Sequence, residues 1–215
     1  MAEHLIVISV DALVYEDLEL LGQLPNTRYL LDNGSMIKRM KTVYPSLTHM
    51  VHAALMTGCA PGRTGIISND HFEPGNLAPL WYNDLVDVKC DTIFHAAKRK
   101  GLTTAACRWP VTAGAFDVID YLVPEIMDSD LKREPDMLKL HKEMCTPALY
   151  EDIIKPNIGI IDWSRSKHPT DEEFQITCCC DIIRKYRPNL LFTHPAHVEF
   201  ARHGRTLTGE SPEYA

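Results

Sequence analysis

The chain has 215 residues, 45% hydrophobic and 24% charged, enough for one large domain with a core of useful size. Its formal net charge of -7 speaks against broad electrostatic attachment to a nucleic-acid polymer or an anionic membrane, yet leaves room for a single phosphorylated ligand held by local charge and metal. No apolar stretch approaches the ~20 residues that span a bilayer.

In chain order, "MAEHLIVISVDAL" opens with a near-continuous apolar run from Leu5 to Val10, without a basic leader or a small-residue cleavage site. It reads as a central strand covered on both faces, ending at Asp11. Helical patterns follow over Glu16 to Leu21 and Asn26 to Leu31, with Gly34 as the stop. Residues Ser35 to Tyr44 read as extended. In "VYPSLTHMVHAALMTG", Met50, Val51, Ala54 and Leu55 recur at helical spacing behind Thr48, and Gly58 closes the run. Thr48 therefore reads two ways: as a helix cap, or as a hydroxyl held where a helix N-terminus attracts a phosphate.

A turn-rich stretch, "GCAPGRTGIISNDHFEPGNLAP", contains Asn69, either a turn-maker or an amide able to donate to a developing oxyanion. "DTIFHAAKRKG" predicts a helix and "LTTAACRW" a strand. From 112 to 169 the pattern loosens into helical segments with little strand signal, as in a cap or insertion. A helix over Thr170 to Tyr186 leads into the strand "NLLFTH" and then "PAHVEFARH", where Glu199 and His203 stand at i, i+4 and can share one helical face toward a divalent ion. His194 and His197 lie close by in sequence.

The seven cysteines include Cys178-Cys179-Cys180 in the Thr170 helix, whose side chains point about 100° apart and cannot form one metal cage. They read as buried or half-buried free thiols, and the lack of regular cysteine spacing suits a reducing, cytoplasmic compartment. The alternation of strands and helices predicts an α/β fold, a largely parallel sheet with helices on both faces, in a single domain over 1–215.

Three segments carry a resemblance to the type I phosphodiesterase/nucleotide pyrophosphatase family of the alkaline phosphatase superfamily. "VISVDAL" resembles the family's opening strand and its metal-binding Asp, here Asp11. "YPSLTHMVHAALMTGCAPGRTGIISND" resembles the nucleophile segment, with Thr48 as nucleophile, His52 at the motif histidine and Asn69 at the phosphate-contacting asparagine. "RPNLLFTHPAHVEFARH" resembles the strand and D-x-x-x-H metal motif, with Glu199 in place of Asp.

The resemblance implies a metal-dependent hydrolase of phosphodiester or pyrophosphate bonds in small nucleotide-like substrates. It implies two divalent ions, zinc or manganese, with Asp11 and Thr48 on one and Glu199 and His203 on the other. A later Asp-His pair and a further His, which the family uses to complete that site, have no counterpart after His203. The C-terminal strands and ligands are thus expected to be missing, leaving a sheet edge that favours self-association. Alternatives are a phosphonate or phosphomonoester hydrolase of the same superfamily, and a truncated binding or assembly module without catalysis.

Overall fold

The structure is a computed structural model that describes residues 3–77, 79–162 and 170–204, with the backbone alone at Asp128, Ser129, His203 and Gly204. Two compact units share the chain: one takes in residues up to Ser9 together with Val43–Pro195, the other Val10–Thr42 together with the segment from Ala196.

The first unit is built on a four-stranded sheet of β1 (Leu5–Ile8), β2 (Thr104–Cys107), β3 (Tyr121–Val123) and β4 (Leu190–Thr193), ordered β1-β4-β2-β3. Every pairing is parallel, with Leu5 opposite Leu190 and Thr104 also opposite Leu190, so all four strands end toward the same side. β2 and β4 are buried along their whole length, as apolar central strands of a parallel sheet require.

Helices cover both faces. On one, α2 (Thr48–Thr57) and α3 (Ile93–Arg99) place Met50, Ala53, Met56, Phe94 and Ala97 against Ala106, Leu122 and Phe192. On the other, α5 (Thr170–Tyr186) places Phe174, Cys178, Cys179 and Ile182 against Ala105, Cys107, Val123 and Leu191. The largely parallel α/β architecture is as the sequence predicts. The cysteine run also behaves as expected: all seven cysteines are free, with Cys178 and Cys179 buried and Cys180 half-buried.

Two expectations are corrected. β1 is an edge strand with one partner among the described residues, and Leu5, Ile6 and Ile8 are 50%, 45% and 62% exposed. Its continuous apolar run shows that both faces favour cover, which is a different matter from having it. The stretch 112–169 is also more than a helical cap. It supplies β3 to the sheet, and Leu149, Ile153, Ile154 and Ile161 join the core on the α5 face. Within it α4 (Met137–Met144) starts on Asp136, whose carboxylate accepts from Lys139 N at 3.1 Å. Ser35–Tyr44 forms no strand.

The second unit holds α1 (Pro25–Asn33), closed by Gly34, and α6 (His197–Gly204). Arg202 of α6 donates to both Asp17 carboxylate oxygens, at 2.7 and 3.0 Å, and to the Ala12 carbonyl. Asp17 is buried and also accepts from Val14 N at 2.9 Å, so its charge is paired and hydrogen-bonded together.

Candidate active site at the strand ends

The expected residues fall into two groups, one in each unit. In the first unit, Thr48 is the opening residue of α2 and half-buried. It is not the cap. The capping position is Leu47, extended at φ -92° and ψ 145°, whose side chain has no oxygen to offer. The backbone N–H of His49 instead donates to Asn69 Oδ1 at 2.9 Å, so a residue twenty positions away satisfies one of the donors that open the helix. An N–H must meet the amide oxygen, and that fixes the Asn69 side chain with its NH2 group as the remaining donor. Asn69 is itself placed by a short antiparallel contact: Tyr82 N donates to its carbonyl at 2.9 Å, and Asp70 bridges to Trp81. The Trp81 ring meets His49 edge-on at 5.1 Å.

One turn along the helix, His52 fastens this N-terminus to the sheet. Its Nδ1 lies 2.7 Å from the Thr48 carbonyl and its Nε2 3.0 Å from Ser9 Oγ, at the end of β1. A carbonyl can only accept, so Nδ1 carries the proton and Nε2 accepts from the serine hydroxyl. His194, just past β4, directs its Nδ1 to the Ser9 carbonyl at 2.9 Å and lies 4.0 Å from the His52 ring. Trp109, just past β2, meets His52 edge-on at 4.7 Å. Residues after three strand ends thus converge under the first turn of α2, where ligand sites of open α/β sheets form.

His52 and Asn69 were legible as motif positions. Ser9, Trp109 and His194 as supports were not. The one sequence signal for them is that each immediately follows or nearly follows a predicted strand. His194 is 2% exposed and bonded into this network, a structural anchor.

In the second unit, Asp11 Oδ1 accepts from Ala12 N at 2.8 Å, across a turn in which Ala12 takes the left-handed φ of 56°. Glu199 lies on α6 three residues before Arg202, so the Arg202–Ala12 contact joins the helix of the expected carboxylate–histidine pair to the Asp11 turn. Glu199 and His203 both lie on α6, four positions apart; the His203 side chain lies outside the described residues. Among the described residues no three His, Cys, Asp or Glu side chains gather into a metal cage. Carboxylates, imidazole and a hydroxyl suit zinc or manganese chemically, but these residues do not make up a full ligand set for either.

Comparison with known proteins gives relatives in sequence and in fold. Over 116 residues, 49% of this chain, the sequence is 31% identical to human and 30% identical to rat ectonucleotide pyrophosphatase/phosphodiesterase family member 1, of which it covers 12%. It is 30% identical to the venom phosphodiesterase of Macrovipera lebetinus over 118 residues, covering 49% of this chain and 13% of that one. Among solved structures, phosphonoacetate hydrolase from Sinorhizobium meliloti, in complex with phosphonoacetate, superposes with a TM-score of 0.61 at 18% identity, over 98% of this chain and 49% of that one. Murine ectonucleotide pyrophosphatase/phosphodiesterase 5 gives 0.55 at 21% identity, over 98% and 47%. A form of the murine protein with threonine replaced by alanine, described as inactive and in complex with AMP, gives 0.56 at 19% identity, over the same shares. The chain therefore spans about half the length of the solved structures it matches, and a smaller share of the curated relatives. A profile of the type I phosphodiesterase/nucleotide pyrophosphatase family matches residues 5–214, and the chain belongs to that family.

Proposed function

We propose that this chain carries the nucleophile half of a hydrolase that cleaves phosphodiester or pyrophosphate bonds in nucleotide-like substrates. The observation that carries the reading is the joint placement of Thr48 and Asn69: a hydroxyl on the first residue of a ten-residue helix, and an amide whose oxygen is held by the next backbone N–H. A helix N-terminus and its dipole favour a phosphate there. Thr48 Oγ1 attacks phosphorus in line with the leaving oxygen. The P–O bond to the leaving group breaks as the Oγ1–P bond forms, giving a covalent phosphothreonine diester that water then hydrolyses. The NH2 group of Asn69 donates to the oxygen on which negative charge grows. His52 holds the Thr48 turn by its carbonyl.

A divalent cation, when bound, would supply the acidification that a threonine hydroxyl needs near neutral pH. Two such ions are proposed, zinc or manganese being the candidates, with Asp11 and Thr48 on one and Glu199 and His203 on the other. The inactive threonine-to-alanine form of the murine relative supports a threonine nucleophile in this family. The likeness to phosphonoacetate hydrolase is a likeness of fold and does not rank phosphonates above diesters.

The test is rapid quenching of the chain with the nitrophenyl ester of a nucleoside monophosphate, in zinc and in manganese, followed by peptide mass spectrometry. A nucleotidyl adduct on Thr48, absent from Thr48→Ala, is the expected result. Adduct on another residue, or hydrolysis unchanged in Thr48→Ala, would overturn it. Phosphonoacetate and nitrophenyl phosphate run in parallel identify the substrate class, with the diester expected to lead by about tenfold, a margin of ~1.4 kcal/mol in transition-state binding.

A further inference from the structure

The helix that presents Thr48 at one end has a second reactive feature at the other. Gly58, left-handed at φ 67°, ends α2 and turns the chain so that Cys59 follows at once. Thr57 Oγ1 donates to the Ala53 carbonyl at 2.7 Å and accepts from Cys59 N at 3.1 Å, which fixes the direction in which the cysteine leaves the helix. Thirty-one residues later, Cys90 sits two positions before Thr92, the cap of α3. There Cys90 lines the same cleft as Cys59 and Thr57. Both cysteines are half-buried and free, and both line one open cleft of about 500 Å³ together with Thr57, Arg63 and Ile93. Cys107 and Cys179, by contrast, are buried in the core and closed to reagents.

We propose that Cys59 and Cys90 form a redox-active dithiol that a hydroperoxide entering this cleft converts to a disulfide. In the first step a Cys59 sulfur attacks the peroxide oxygen. The O–O bond breaks, an alcohol or water leaves, and Cys59 becomes a sulfenic acid. In the second, the Cys90 sulfur attacks the Cys59 sulfur, the S–O bond breaks, and water departs with the Cys90 proton. Two thiols lose two electrons in all, and the hydroperoxide gains them. Burial, then the neighbouring Cys59, pushes the Cys90 thiol above its ordinary range, which suits it to the second step, as the resolving sulfur that keeps its proton until needed. The Arg63 guanidinium faces the same cleft and favours negative charge developing on sulfur.

The bridge would close a loop that contains Asn69, tying the C-terminal end of the Thr48 helix to the start of α3. The inference does not depend on the catalytic reading, because its readout is covalent. The full chain is treated with stoichiometric hydrogen peroxide, its free thiols are blocked, and its peptides are mapped without reduction. The expected result is one linked pair, Cys59 with Cys90, about 2 Da lighter than the two free peptides and opened by dithiothreitol. In Cys90→Ser the same treatment should leave a dimedone-reactive sulfenic acid on Cys59. Recovery of both cysteines unlinked and alkylated, or of Cys59 joined to a second copy of the chain, would overturn the proposal.

Discussion

Asn69 has two jobs that one substitution can separate. Its oxygen accepts from His49 N and so closes the start of α2, while its NH2 group is the donor assigned to the phosphate. Asn69→Ala loses both: a missing cap costs about 1 kcal/mol of stability, and a missing oxyanion donor about 10²-fold in turnover. Asn69→Asp keeps an oxygen for His49 N and removes the donor. The expected outcome is a urea midpoint near that of the wild type with turnover as low as in the alanine variant. If Asn69→Asp turned over normally, Asn69 would be a helix cap and nothing more. The residue was visible in the sequence as a motif position, but its capping role was not. A bond between positions 49 and 69 depends on how a loop folds back, and no local period records that.

At the scale of elements, legibility followed the local signal. The helix over Thr170–Tyr186 was legible, because its pattern ends at Arg187-Pro188, where Arg187 turns left-handed at φ 48°. β3 was missed, since three residues are too few to show a period and its burial comes from β2 beside it and the residues above. α4 shows what such packing does to a titratable group. His141 is 3% exposed, donates Nδ1–H to the Met137 carbonyl at 2.9 Å and meets Phe174 edge-on at 5.6 Å. The Arg108–Asp171 pair lines the same small cavity. Burial holds its pKa down at about 4, with Arg108 acting in the same direction.

The native state therefore keeps this imidazole neutral, while the unfolded chain takes up a proton near the ordinary value of about 6.5. The unfolded state binds more protons between those limits, so the stability contribution is complete above about pH 6.5 and declines as pH falls toward 4. Over that window the loss is of order 2 kcal/mol. Urea unfolding at pH 7 and at pH 4.5 should show it in the wild type, and the difference should shrink in His141→Gln, which cannot titrate. Equal pH dependence in the two proteins would place the effect elsewhere.

At the scale of the molecule, the main open feature is the β1 edge. The sheet order leaves β1 with a single partner among the described residues, and Leu5, Ile6 and Ile8 on it are exposed apolar side chains. Such an edge is a template for another strand. The solved structures that match this chain along almost its full length are about twice as long. The 215 residues on their own should then associate through β1, and sedimentation velocity across a concentration series should show mass rising with protein concentration. Ile8→Lys is the discriminating variant. Ile8 is 62% exposed, so a lysine there removes little packing and should change monomer stability by less than about 1 kcal/mol. A charge on an edge strand opposes pairing with a second chain, so the variant should sediment as a monomer at concentrations where the wild type does not. A wild-type chain that stays monomeric throughout would show that the exposed strip is tolerated, and that β1 needs no partner to hold the first unit together.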